Sequence, residues 1–151
     1  MFSTPRLFIK TGIVFLGLGL LLGGWLLVNR ELRGIPPHPL MASAHVHAVS
    51  VGFVMFVILG VAQWLFPRAP KDDPRYRPHR LLASYWILTL ATGLRVVSEI
   101  SRVWSDAYSL RLIVVAAGGG QILGLGLYFY SMWSRIRPLG SAKREQAGER
   151  F

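Results

Sequence analysis

Residues 39–68 read PLMASAHVHAVSVGFVMFVILGVAQWLFPR, and this stretch decides the fold. Its apolar run exceeds the ~20 residues that an α-helix needs to cross a bilayer. Two histidines, His45 and His47, stand near its start in an otherwise apolar sequence. Because an ionisable side chain at membrane depth is energetically costly, it normally has a partner or binds a ligand. The stretch therefore predicts a membrane-spanning helix that holds a ligand or a neighbouring helix through its histidines.

The composition of the whole chain agrees with a membrane protein. Of the 151 residues, 52% are hydrophobic, and the mean hydropathy is +0.43. The chain contains no cysteine, which excludes disulfides, thiolate metal sites and the C-x-x-C-H attachment of c-type haem. The net charge is +10, but the basic residues flank apolar segments. The expected partner is therefore the lipid bilayer and not nucleic acid.

Three further stretches, residues 7–28, 81–100 and 110–133, are long and apolar enough to span a membrane as helices. The predicted fold class is therefore all-α, an integral membrane four-helix bundle. We expect residues 1–139 to form one transmembrane domain that contains the binding site. Residues 140–151 are predicted to form a charged cytoplasmic tail.

Proline and glycine give two further predictions. Pro39 marks the start of the second helix, because a proline in the first helical turn removes no hydrogen bond. Gly19 and Gly23 lie four residues apart on one face of the first span, which favours the close approach of another helix. The many glycines between Gly118 and Gly126 in the last span would let a helix or a flat cofactor approach closely.

The distribution of lysine and arginine predicts the orientation of the bundle. One side carries Arg6, Lys10, Arg68, Lys71, Arg75, Arg77, Arg80, Arg135, Arg137, Lys143, Arg144 and Arg150. The other side carries Arg30, Arg33, Arg95, Arg102 and Arg111. By the positive-inside rule the first side is cytoplasmic, so both termini are predicted to lie in the cytoplasm and the paired histidines near the outer face.

The residues alone leave three interpretations of the paired histidines open. His45 and His47 point about 200° apart on a regular helix, so they cannot chelate one metal as a pair. Both could hydrogen-bond neighbouring helices in a haem-free structural protein. A copper-handling protein could use His38, Met41 and His45, because imidazole and thioether ligands suit copper. A b-type haem could bind on either face of the helix through one imidazole.

The run HVHAVSVGFVMFVILGVAQWLFPR, residues 45–68, resembles one helix of the catalytic subunit of haem–copper oxidases. The similarity is greatest to cbb3-type oxidases and their nitric oxide reductase relatives. It lies in the His-Val-His motif, the glycine–aromatic pair that follows, and the Leu/Phe-Pro-Arg ending. In that family one histidine binds the low-spin haem and the other the high-spin haem, and the matching positions are His45 and His47.

The resemblance implies a protein of the bacterial inner (cytoplasmic) membrane that binds haem b. Its expected function is electron transfer with a redox partner, or binding of a diatomic gas such as nitric oxide or oxygen. The chain lacks the three further histidines of the oxidase copper site, so it resembles a truncated, four-helix relative and not a complete oxidase. Whether it catalyses an oxidoreductase reaction stays open.

A six-coordinate haem iron needs a second axial ligand, and this need leads to a prediction about assembly. The remaining histidines are His38 and His79, and His79 is predicted to lie on the opposite side of the membrane. A second copy of the chain could supply the missing ligand, which predicts a homodimer. The glycine pairs 19/23 and 120/124 are the candidate contacts between the two copies.

Arg95 and Arg102 are the candidate partners of the haem propionates, because both lie at the depth of the histidines. A guanidinium forms strong bidentate hydrogen bonds with carboxylates. The alternative is that Arg95 pairs with Glu99 four residues later and that Arg102 extends to the membrane interface.

Overall fold

The computed structural model describes residues 3–67, 69, 73–137 and 147–148, and its regular secondary structure is helical throughout these residues. Four helical spans are long and apolar enough to cross a membrane, which confirms the predicted four-helix fold. The predicted tail, residues 140–151, lies outside the described residues except for positions 147–148. The loop residues Arg68 and Lys71 also lie outside them.

The first span is helix α1. The second span consists of helix α2, a π-helical segment and helix α3. The third and fourth spans are helices α4 and α5, and a short 3₁₀ turn follows α5. The bounds are α1 Ser3–Arg33, α2 Pro39–Val46, the π-helical segment His47–Met55, α3 Phe56–Leu65, α4 Pro78–Ser101, α5 Tyr108–Met132 and the 3₁₀ turn Trp133–Arg135.

Local sequence explains both ends of the second span. Helix α2 begins at Pro39, as predicted, and His38 caps it in an extended conformation with its Nδ1 accepting a hydrogen bond from the Leu40 N–H at 3.2 Å. At the other end Phe66 is extended, with ψ 144°. A residue that precedes a proline is disfavoured in the helical region, so Pro67 ends the helix.

The middle of the second span is not the regular α-helix that the sequence predicts. Residues His47–Met55 wind as a π-helix, a rare and wider form that is frequently found at functional sites. Gly52 lies in this segment, and a Cβ on it would be only 2.5 Å from Cγ of Phe15 in α1. The π-helical segment thus packs against α1 at Gly52, where a side chain would collide with the ring of Phe15.

The two ends of the bundle differ in their packing. At the end that contains residues 66–67 and 73–77, here called the basic end, a core of aromatic rings joins all four spans: Phe8, Phe56, Tyr85 and Tyr128. At the opposite end, here called the histidine end, a smaller cluster of Ala44, Ala48 and Val96 joins the second span to α4. The second span packs against both α1 and α4, and α5 packs on α4.

Both glycine surfaces are occupied within one chain. Gly19 and Gly23 face the second span, whereas Gly120 and Gly124 face α4. A Cβ at any of these four positions would lie 2.6–3.0 Å from a side-chain atom of the neighbouring helix. The close approach predicted for the first pair is thus confirmed, but between helices of the same chain. The homodimer stays a prediction, and these glycines no longer support it.

Arg135 has a structural role that a count of charges does not show. Its side chain is buried and donates hydrogen bonds to the backbone carbonyls of Gln63, Phe66 and Pro67 at 2.7–2.9 Å. The guanidinium also lies over the ring of Tyr76, 5.2 Å from its centroid. Arg135 therefore satisfies the carbonyl groups that remain unpaired at the end of α3.

Candidate functional site

His45 sits in a groove on α1. Its Nδ1 lies 2.8 Å from the carbonyl oxygen of Gly19, and because a carbonyl only accepts, this nitrogen carries the proton. The opposite nitrogen, Nε2, then holds a lone pair. Gly23 forms the floor of the groove, since a Cβ there would lie 2.7 Å from Cε1 of the imidazole. The glycine pair of α1 thus fixes both the tautomer and the position of this ring.

A cleft of about 260 Å³ opens beside His45 at the histidine end, between α1 and α2. Its walls are mostly apolar, with Leu26, Leu27 and Val46 among them, and Arg30 contributes a positive charge. Arg30 also pairs with its exposed neighbour Glu31, at 2.6 Å. The cleft therefore combines an imidazole, an apolar surface and a guanidinium, a combination that suits an amphiphilic ligand with an acidic group.

His47 faces the other way, toward α4, so the two imidazoles serve different helices as their spacing predicts. Its Nδ1 lies 2.9 Å from the carbonyl oxygen of Ser43, which assigns the proton to Nδ1 and a lone pair to Nε2. Ser43 Oγ is also 3.3 Å from this nitrogen. The side chain is 22% exposed, so the ring is accessible from outside the bundle.

A buried carboxylate, Glu99 of α4, connects His47 with two further side chains. Its Oε1 accepts hydrogen bonds from Arg95 Nε at 2.6 Å and from Ser43 Oγ at 3.0 Å. Its Oε2 lies 3.3 Å from His47 Nδ1 and has no hydrogen-bond donor among the described residues. The cluster therefore unites two predicted site residues, His47 and Arg95, through a residue predicted only as an ion-pair partner. Ser43 had no signal in the sequence beyond its position four residues before His47.

Arg95 pairs with Glu99 and still has hydrogen-bonding capacity. Its Nε is used in the ion pair, while its two Nη groups have no acceptor within the described part of the chain. Nη1 lies 2.9 Å from the position that a Cβ on Gly118 of α5 would occupy, so this glycine makes room for the guanidinium. Pairing with Glu99 and binding of a haem propionate are consequently compatible for Arg95, since the ion pair leaves N–H donors for a second anion.

Arg102, the other predicted propionate partner, belongs to a separate ion pair. It donates to Asp106 in the loop after α4 at 3.2 Å, and Arg111 pairs with the same carboxylate. Hydrogen bonds from Arg111 and Arg102 hold the pKa of Asp106 below its usual value. Arg102 is the C-cap residue of α4 and has no hydrogen bond to the Glu99 cluster, and its extension to the membrane interface stays a prediction.

The remaining two histidines do not join the site. His38 is exposed, and its Nδ1 accepts the hydrogen bond that caps α2. It therefore lies before the first helical residue and not on the helix face that carries Met41 and His45, the two other predicted copper ligands. His79 is exposed in the first turn of α4 at the basic end. Across the residues that the structure describes, no group of three or more histidine and acidic side chains is placed to hold a metal ion.

Comparison of the chain with known proteins gives no match. No protein-family model matches the chain, and no curated protein or solved structure is significantly similar to it. The relationship to haem–copper oxidases therefore stays a prediction from the residues of the second span.

Proposed function

We propose that the protein is a membrane-bound b-type haem protein whose iron is held by Nε2 of His45 or His47. The single observation that supports it is the state of the two imidazoles. In both, Nδ1 donates to a backbone carbonyl and Nε2 retains its lone pair. A histidine that binds a metal almost always donates its other ring N–H to a carbonyl or carboxylate, which fixes the tautomer and the ring orientation.

Each imidazole also has a cation nearby that could bind a propionate. Arg30 lines the cleft beside His45, and the Nη groups of Arg95 are available near His47. Arginine suits this role because its guanidinium forms charge-assisted, often bidentate hydrogen bonds with carboxylates. Arg30 replaces Arg102 in this proposal because Arg30 lines the cleft beside His45, whereas Arg102 pairs with Asp106 and has no hydrogen bond to the Glu99 cluster.

The proposed function of this site is electron transfer or the binding of nitric oxide or oxygen. When bound, haem supplies a one-electron redox couple and, where one axial position is open, a place for a diatomic gas. The residues of the chain hold the imidazoles in one tautomer and place arginine next to them in apolar surroundings. The excess of basic residues at the basic end supports an orientation with that end and both termini in the cytoplasm of a bacterium.

The number of axial ligands bears on assembly. His38 caps α2 and His79 lies at the basic end, so neither is placed beside His45 or His47. A six-coordinate iron would then take its second ligand from another chain, and we propose a second copy of this one. The mass of the detergent-solubilised protein, read together with its coordination state, tests this: a monomer with six-coordinate haem contradicts it.

The test of the proposed function is the visible spectrum of the purified protein in the oxidised and reduced states. A Soret band with the reduced bands of haem b is the expected result. The variants His45→Ala and His47→Ala identify the ligand through loss of haem, and His79→Ala is the matched control because that side chain is exposed at the other end. Absence of a Soret band, or full haem in the double variant of His45 and His47, contradicts the proposal.

A further inference from the structure

The burial of Glu99 needs an explanation beyond its pairing with Arg95. Its side chain is only 3% exposed, and an ionised carboxylate is costly to bury in a membrane-spanning helix. Residues four apart can form an ion pair on a helix surface without burying either group. Here the carboxylate instead turns between α4 and α2, where Ser43 Oγ adds a second hydrogen bond to Oε1. This placement brings the second oxygen next to His47.

That second oxygen, Oε2, has no hydrogen-bond donor in the part of the chain that the structure describes, and it lies 3.3 Å from His47 Nδ1. Leaving a buried acceptor without a donor is energetically unfavourable. The nearest N–H belongs to an imidazole that is already directed toward the Ser43 carbonyl at 2.9 Å. His47 Nδ1 therefore has a carboxylate oxygen 3.3 Å away in addition to the carbonyl that accepts its proton, whereas the hydrogen-bond partner of His45 Nδ1 is the neutral Gly19 carbonyl.

We propose that Glu99 is the positioning residue of His47 and that it makes His47 the stronger iron ligand of the two histidines. This inference rests on the proposed haem function. A carboxylate next to the N–H of a ligating imidazole fixes the ring and increases the basicity of the opposite nitrogen. Its negative charge also favours the oxidised, more positive iron, so Glu99 lowers the reduction potential of the haem bound there.

The test is Glu99→Gln, which keeps the size of the side chain and removes its charge. We expect the variant to retain haem, with a higher midpoint potential in a redox titration and an altered electron paramagnetic resonance spectrum of the ferric state, which reports axial ligand strength. Ser43→Ala removes the hydroxyl that donates to the carboxylate and that also lies 3.3 Å from His47 Nδ1, and it is expected to give a smaller change in the same spectrum. It also provides a second variant if Glu99→Gln fails to fold.

The matched control is Asp106→Asn. Asp106 is also a carboxylate paired with arginine at the histidine end, but it is exposed in a loop. Its variant is expected to keep the potential and the spectrum of the wild type. Unchanged values in Glu99→Gln, or an equal shift in Asp106→Asn, overturn the positioning role while a haem-loaded wild type still supports the proposed function. A wild type without a Soret band overturns both.

Discussion

The basic end and the histidine end of the bundle have cores made of different residue types. At the basic end large aromatic rings from all four spans fill the core, and Arg135 closes the end of α3. At the histidine end the core consists of small residues, and polar groups occupy the space around it. The first end therefore has the denser aromatic packing, whereas the second end has small core residues and leaves polar groups and a cleft beside His45.

The largest expected effect is on stability, from Arg135→Leu at the basic end. The variant removes a charged donor from three backbone carbonyls, and each unsatisfied carbonyl costs about 1–3 kcal/mol. We expect the free energy of unfolding in detergent to fall by about 3 kcal/mol or more. Haem that is still bound should keep the wild-type spectrum, because the change lies at the end without the paired histidines.

The control for this variant is Arg6→Leu, which removes the same charge from an exposed position of α1 near the same end. It should leave the free energy of unfolding nearly unchanged. An equal loss of stability in both variants would mean that net charge, and not the hydrogen bonds of Arg135, holds this end together.

The second prediction tests which of the two imidazoles binds the iron, without substituting either histidine. In Gly23→Ala the new Cβ would lie 2.7 Å from Cε1 of His45, so the ring must move out of its groove. If His45 is an axial ligand, the variant should lose much of its haem, as measured from the Soret absorbance per protein. Gly24→Ala is the control, because a Cβ there meets no atom within 4 Å. Wild-type haem content in both variants would assign the iron to His47 alone.

A smaller effect is expected on the reduction potential, from Arg95→Leu. Removing this positive charge disfavours the more electron-rich ferrous state, so the midpoint potential should fall and haem should be held less tightly. The shift is opposite in sign to that expected for Glu99→Gln. A redox titration of the two variants side by side checks this. An unchanged potential would mean that Arg95 serves only as the partner of Glu99.

Gly118→Ala sharpens the same prediction. The new Cβ would lie 2.9 Å from Nη1 of Arg95, which is the flexible end of a long side chain, so the guanidinium should move with little cost in stability. A fraction of the Arg95→Leu shift is expected, whereas Gly119→Ala faces open space and should show none. Equal shifts in midpoint potential for the two alanine variants would mean that a change in α5, and not the displacement of Arg95, causes the shift.

Features that depend on local sequence could be predicted. The four spans follow from the length of the apolar runs, and Pro39 starts the second helix because a proline fits the first turn. The divergence of His45 and His47 follows from helical rotation, and the Arg95–Glu99 pair from a spacing of four residues. The groove formed by Gly19 and Gly23 was also predictable, although not the side chain that enters it.

The tertiary structure alone decided which groups meet, because that depends on the register between helices that are distant in the chain. Ser43 and Glu99 are 56 residues apart, and only the packing of α2 on α4 turns the carboxylate toward His47. Likewise Arg135 reaches carbonyls about 70 residues earlier, and His38 caps a helix and does not extend a ligand face. Sequence thus determined the four spans and the divergence of the two histidines, while the tertiary contacts determined the hydrogen-bond partner and the unprotonated nitrogen of each imidazole.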